Sequence, residues 1–142
     1  MRIMGIDYGD RRIGIALSDA LGWTAQGLET IIWQREITLA LDRIKELAQN
    51  NEVTKIVVGL PRHLNGEISQ QGEKTLAFVK QLHVHTGLPV ETWDERLTTM
   101  AAERLLISAD VRRNKRRQVI DKVAAAIILQ GYLDAQSTSQ RG

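Results

Sequence analysis

Residues 3–19 read IMGIDYGDRRIGIALSD, and the place of one carboxylate among them decides how the chain folds. Ile3 to Ile6 are apolar or glycine, and Ile13 to Leu17 are apolar or small again. Two strands therefore flank a turn built on Gly9 and Asp10. Asp7 lies inside the first strand, where a carboxylate is costly to bury unless a cation or several donors compensate it. The two-residue period of a strand puts Ile3, Gly5 and Asp7 on one face, with Met4, Ile6 and Tyr8 on the other. The return strand alternates Ile13, Ile15 and Leu17 with Gly14, Ala16 and Ser18. Asp7 thus faces small neighbours, which predicts room beside it for an ion or a phosphate.

Working outward, a third strand is expected near Leu28 to Trp33. The spacing of Ile37, Leu41, Ile44, Leu47 and Ala48 then predicts an amphipathic helix over 36–50. KIVVGLP is too apolar for one-sided exposure and reads as a central parallel strand ended by Pro61, with HLNGE continuing as a loop. Leu76, Val79 and Leu82 share one face of a helix over 69–86, stopped by Gly87. A strand, PVETWDE, follows. A helix from about Thr98, a basic loop and a last helix from about Gln118 to Ala135 complete the chain. The order is βββαβαβα with a further helix near the end. It predicts one α/β domain over residues 1–136, with a mixed central sheet and helices on both faces, the order of the ribonuclease H-like fold. The polar residues 137–142 are expected to form a flexible tail.

Composition fits that reading. The chain has 142 residues, 43% apolar and 25% charged, in the range of one ordinary globular domain. It has no cysteine, which excludes disulfides and thiolate metal sites and suits a reducing cytoplasm. MRIMGID meets an acid too early for a signal-peptide core, and the longest apolar runs fall short of a membrane span. A cytoplasmic protein without membrane contact is expected. Net charge is only +2, yet residues 112–117 read RRNKRR, with five cations in six positions. Clustered charge of this kind suits a polyanion, and it equally suits a solvated loop.

Three acidic positions converge in such a topology. Asp7 ends the first strand and Asp94 and Glu95 end the last. Asp121 lies early in the final helix on the face of Ala124, Ala125 and Ile128, so it points at the sheet. Sites in open α/β sheets form beyond the strand ends. Clustered carboxylates need a counter-charge, and hard oxygen ligands without histidine or cysteine suit Mg²⁺ or Mn²⁺. Two such ions beside a cationic surface are the chemistry of a phosphodiesterase. Each acid taken alone has a plainer reading: Asp7 as a turn acid, Glu95 as the partner of Arg96 or Arg12. Strand parity does not choose between Asp94 and Glu95. His83 and His85 fall on different helix faces and read as surface residues, while His63 lies in a loop near a strand end. Trp23, Trp33 and Trp93 read as packing in the core or at its rim, and Thr98 as an N-cap. The chain contains no Gly-x-Ser-x-Gly elbow, Walker loop or GxGxxG.

The segments GIDYGDRRIGIALSD, IVVGLPRHLNGE, DERLTT and IDKVAAAIILQGYLD resemble, in order and spacing, the YqgF/RuvX family of bacterial proteins. The resemblance spans about residues 1–136. It implies a ribonuclease H-like fold related to the RuvC resolvases. The implied activity is that of a nuclease, in 5′-end maturation of pre-16S rRNA during ribosome biogenesis or as a Holliday junction resolvase. It also implies that Asp7, Glu95 and Asp121 are the catalytic and metal-holding acids, and so selects Glu95 over Asp94. Arg12, Arg96, Arg112, Arg113, Lys115, Arg116 and Arg117 are then candidates for phosphate contacts. The expected partner is structured RNA, pre-rRNA above all, or branched DNA. No apolar dimer stripe is evident, so a monomer or weak homodimer is expected, which favours RNA processing over symmetric junction cutting. IDYGDRRIGIA is also similar to the first phosphate loop of actin-like ATPases and sugar kinases, but those need two lobes and this chain holds one. A non-catalytic nucleic-acid-binding assembly factor would keep the basic block and have no use for three acids.

Overall fold

The computed structural model describes residues 1–94 and 113–141, with the backbone alone for 113–120 and 137–141. Five strands and three helices are described: β1 Arg2–Tyr8, β2 Arg12–Ser18, β3 Ala25–Ile32, α1 Thr38–Asn50, β4 Val53–Leu60, α2 Gln70–Thr86, β5 Val90–Asp94 and α3 Arg113–Arg141. This is the expected βββαβαβα order. The helix expected from about Thr98 lies outside the described residues.

The sheet runs β3-β2-β1-β4-β5. β1 pairs antiparallel with β2, and β2 with β3, whereas β1–β4 and β4–β5 are parallel. Alternation along β1 and β2 divides the side chains as their sequence requires. Met4, Ile6, Ile13 and Ile15 join Ile44, Phe78 and Leu82 in a core beneath α1 and α2. Ala16 and Val57 join Ala125, Ile128 and Leu129 in a second core beneath α3. The sheet is therefore covered on both faces, with α1 and α2 on one and α3 on the other.

Local signals place the helix ends. The Ser69 hydroxyl caps α2 by accepting the Gly72 N–H at 3.0 Å, and Gly87 ends the helix at φ 72°. α1 stops without a glycine, as Glu52 takes the left-handed turn itself, at φ 54°. β3 begins at Ala25, three residues before its expected start, because the ladder to β2 extends to the Ser18–Ala25 pair.

The basic block needs a larger correction. Residues 113–117 are helical, so the expected loop is the opening of α3. Arginine and lysine are good helix formers, and the block has no proline or glycine to stop the helix. At its other end α3 continues to Arg141, through a polar stretch whose composition suggests fraying. Among the described residues, no helix is long and apolar enough to cross a membrane.

Candidate nuclease site

The parallel pairing of β1, β4 and β5 brings their C-terminal ends to one edge of the sheet. Leu60 pairs with Asp94 there, and β1 runs alongside through the Ile6–Val58 pair. Asp7 follows Ile6 and is half-buried on the face that α3 covers.

The glycines of this face govern how α3 lies on it. Asp7 pairs with Gly14 across the β1–β2 ladder, an approach of about 4.5–5.5 Å between Cα atoms. A Cβ at Gly14 would overlap the backbone carbonyl of Asp121. At Gly5 it would stand 2.7 Å from the Leu129 Cβ and 2.9 Å from the Ala125 oxygen, and at Gly27 3.0 Å from the Lys122 Cβ. The small residues that predicted open room beside Asp7 are instead the seat of α3. The helix fills most of that space and sets the Asp121 backbone over Gly14, the residue that pairs with Asp7 across the ladder.

Asp121 is half-buried, and Arg12 is its counter-charge: the guanidinium Nε donates to Oδ2 at 2.8 Å. Burial nevertheless pushes the Asp121 carboxyl above its ordinary pKa, with the Arg12 hydrogen bond and charge opposing that rise. Arg12 was expected to meet phosphate or Glu95; the structure gives it an internal partner first. Its further guanidinium donors are additional to that bond.

The structure also places Asp94, the last residue of β5. Val90 packs under α1 and α2, whereas Trp93 packs under α3, its ring edge-on to Tyr132 at 5.9 Å. Alternation then puts Asp94 on the face opposite Asp7, where it lies 3.9 Å from Arg62 Nε. Asp94 is thereby excluded from the Asp7–Asp121 pair. Glu95, Arg96 and Arg112 lie outside the described residues. Arg113, Lys115, Arg116 and Arg117 are placed by backbone in the first turns of α3.

Behind the acids an aromatic stack stiffens the β1–β2 turn. Tyr8 lies on Phe78 at 4.4 Å and against Trp33 at 6.2 Å between ring centroids. The Trp33 indole donates to the Gly9 carbonyl at 3.1 Å. Burial, with the Asp10 charge, pushes the Tyr8 hydroxyl pKa up. Trp33 and Trp93 pack as expected, but Trp23 does not, being 74% exposed.

Among the described residues, no group of three or more metal-ligating side chains is present. The carboxylates of Asp7 and Asp121 are nevertheless hard oxygen donors of the kind that Mg²⁺ takes. Mg²⁺ is commonly held by one or two carboxylates, with water and substrate phosphate completing its octahedron.

Similarity to known proteins gives the family and the fold. Residues 1–135 match the RuvX family, described as Holliday junction resolvase. A Desulforamulus reducens protein named "Putative pre-16S rRNA nuclease" is 55% identical over 135 residues, 95% of this chain and 98% of its own. A Bacillus thuringiensis protein of the same name is 56% identical over 137 residues, 96% of this chain and all of its own. T. thermophilus RuvC in complex with Holliday junction substrate superimposes with a TM-score of 0.61 at 16% identity, covering 98% of this chain and 97% of that one. The fowlpox virus Holliday junction resolvase gives a TM-score of 0.59 at 15% identity, covering 96% and 99%. These two structures share the fold, a single RuvC-like domain of the ribonuclease H type. With a sheet edge that gathers carboxylates and a match that runs from its first residue to residue 135, this chain belongs to the RuvX family.

Proposed function

We propose that this chain is a cytoplasmic, divalent-metal-dependent nuclease of structured nucleic acid, acting in 5′-end maturation of pre-16S rRNA. One observation supports it most directly: glycine at position 14 lets α3 bring the Asp121 backbone onto the strand residue that pairs with Asp7. A purely structural acid pair has no need of that approach. The names of the two relatives point to the same task.

Asp7 and Asp121 would hold Mg²⁺ or Mn²⁺, with Glu95 proposed as the third acid from the family pattern. When bound, such an ion would supply Lewis-acid activation of water and charge neutralisation at a phosphodiester. The remaining roles belong to the chain. Asp7 is held half-buried by β1, and its position relative to Asp121 is set by the Gly14 contact. Arg12 orients the Asp121 carboxylate and opposes the rise in pKa that burial causes. The cations of 112–117, with Arg96, supply a surface for a phosphodiester backbone. Those at 113–117 open α3, whose first turn has no acid, and so oppose the helix dipole. A bound polyanion would offset that repulsion. Such contacts orient a strand without reading its bases.

Junction resolution, the activity in the family's description, is the second reading. One experiment separates the two. A pre-16S 5′-leader RNA and a four-way DNA junction are each incubated with Mg²⁺, Mn²⁺ or EDTA, using wild type and Asp7→Asn. Metal-dependent cutting of the leader that Asp7→Asn abolishes is the expected result. Cutting of the junction alone transfers the assignment to resolution. Binding of either substrate without cleavage overturns the nuclease reading and leaves a binding factor.

A further inference from the structure

Two arginines at the sheet edge of Asp7 take no part in the site described above. Arg11 lies in the β1–β2 turn and Arg35 in the connection from β3 to α1, and both are exposed. Among the described residues neither forms an ion pair. Their two loops are bound to one another. The Trp33 N–H donates to the Arg11 carbonyl at 2.9 Å, and the indole donates to Gly9. The aromatic stack beneath fixes both loops to the core. The acids nearby are engaged elsewhere: Asp10 faces Lys74 of α2 at 3.6 Å, and Glu36 accepts the Thr38 hydroxyl at 3.2 Å. What this ledge presents outward is two guanidinium groups and one exposed carboxylate, Glu36, whose charge a hydroxyl does not cancel.

Arg35 also carries backbone strain. Its φ is 59°, in the left-handed region that side chains other than glycine rarely adopt. Glycine would hold the turn with less strain, and the exposed Arg35 side chain adds little to the core. Strained backbone of this kind clusters at active sites and ligand clamps.

We propose that Arg11 and Arg35 form a phosphate-binding ledge beside Asp7, on which a nucleic-acid backbone rests as it passes the acid pair. The inference rests on the nuclease reading and adds positioning residues to it. Guanidinium groups suit the task because their fork of donors matches phosphate oxygens.

The test uses the full chain in EDTA, so that binding is read without cleavage. A labelled RNA hairpin with a single-stranded 5′ flank and a four-way DNA junction are titrated from 50 to 200 mM salt. The proteins are wild type, Arg11→Gln, Arg35→Gln, Arg35→Gly and Arg43→Gln. Arg43 is the control, since it is already paired with Glu29 at 2.7 Å. Each ledge variant is expected to reduce the salt slope by about one and to weaken binding about three- to tenfold at low salt. Arg43→Gln leaves the slope unchanged. Arg35→Gly binds as weakly as Arg35→Gln, while its melting temperature is no lower than that of wild type. In Mg²⁺, KM rises for the ledge variants and kcat does not fall. Wild-type binding with unchanged slopes in the ledge variants overturns this inference alone, as does an equal loss in Arg43→Gln, which would report net charge only. Wild-type protein that binds neither probe removes this inference and the nuclease reading together.

Discussion

The two faces of the sheet are built on opposite principles. Beneath α1 and α2, β1, β2 and β4 present Met4, Ile6, Ile13, Ile15, Ile56 and Val58, packed against Phe78 and Leu82. Beneath α3, the same β1 and β2 present Gly5, Gly14 and Ala16, and the helix answers with Ala125. Large aliphatic side chains remove much apolar area from water and hold their face together by volume. The glycine face gives up that volume so that a helix backbone can approach the strands. The first face buries the larger set of apolar side chains, and on the second the glycines let α3 set Asp121 over Gly14.

The sharpest way to break this division is Gly14→Ala. The added methyl would overlap the Asp121 carbonyl, a backbone atom that cannot rotate away. Overpacking usually costs about 1–3 kcal/mol, and this substitution is expected at or beyond the top of that range in urea unfolding. Metal-dependent cleavage should be lost even in the molecules that remain folded. Full cleavage by folded Gly14→Ala would show that α3 can be displaced without cost to the site.

Arg12→Gln tests the electrostatics of the same face, and its effect should depend on pH. The folded Asp121 carboxyl has a raised pKa, so between the ordinary carboxylate value and the folded one the native state binds more protons than the unfolded chain. Its contribution to stability therefore falls as pH rises through that window. Removing Arg12 takes away the interaction that opposes the rise, so the window extends upward. The melting temperatures of wild type and Arg12→Gln should differ most near neutral pH and converge as both carboxyls protonate in acid. The pH at which metal-dependent cleavage reaches half its maximum should move upward, because a protonated carboxyl does not hold the ion. Parallel pH profiles would mean that Arg12 does not govern Asp121.

Ile6→Val gives the smallest effect and sharpens the contrast from the other side. Ile6 is fully buried and adjoins Asp7 in β1, yet it points into the aliphatic core. Loss of one methylene should cost about 0.5–1.5 kcal/mol, measured by denaturant unfolding, with cleavage per folded molecule unchanged. A cleavage defect as deep as that of Gly14→Ala would show that the two faces are not separable.

Much of this was legible in the residues themselves. The alternation in IMGIDYGDRRIGIALSD assigns each side chain of β1 and β2 to the face it occupies, because strand parity depends only on neighbouring residues. Gly87 marks the end of α2 for an equally local reason. Three features were not legible. The block RRNKRR reads as a loop by its charge, yet residues 113–117 open α3, since clustered charge competes with good helix propensity and packing further along the helix decides between them. The β5 parity that separates Asp94 from Asp7 becomes visible only once Trp93 is seen against Tyr132. Trp23 stands exposed because of where its loop leaves the sheet, which its own neighbourhood in sequence does not reveal.

By itself the sequence determined the order of the described elements and the faces of the first two strands, and it marked Asp7 and Asp121 as candidate acids. These follow from periods of two and 3.6 residues and from the chemistry of single side chains. Only the tertiary structure decided what the small residues are for and which cation meets Asp121. The Arg12–Asp121 pair spans 109 positions, and the Gly14 contact joins a strand to a helix more than a hundred residues away. Such pairings depend on how one helix settles on the twisted sheet, and that is set by the packing of the whole face at once.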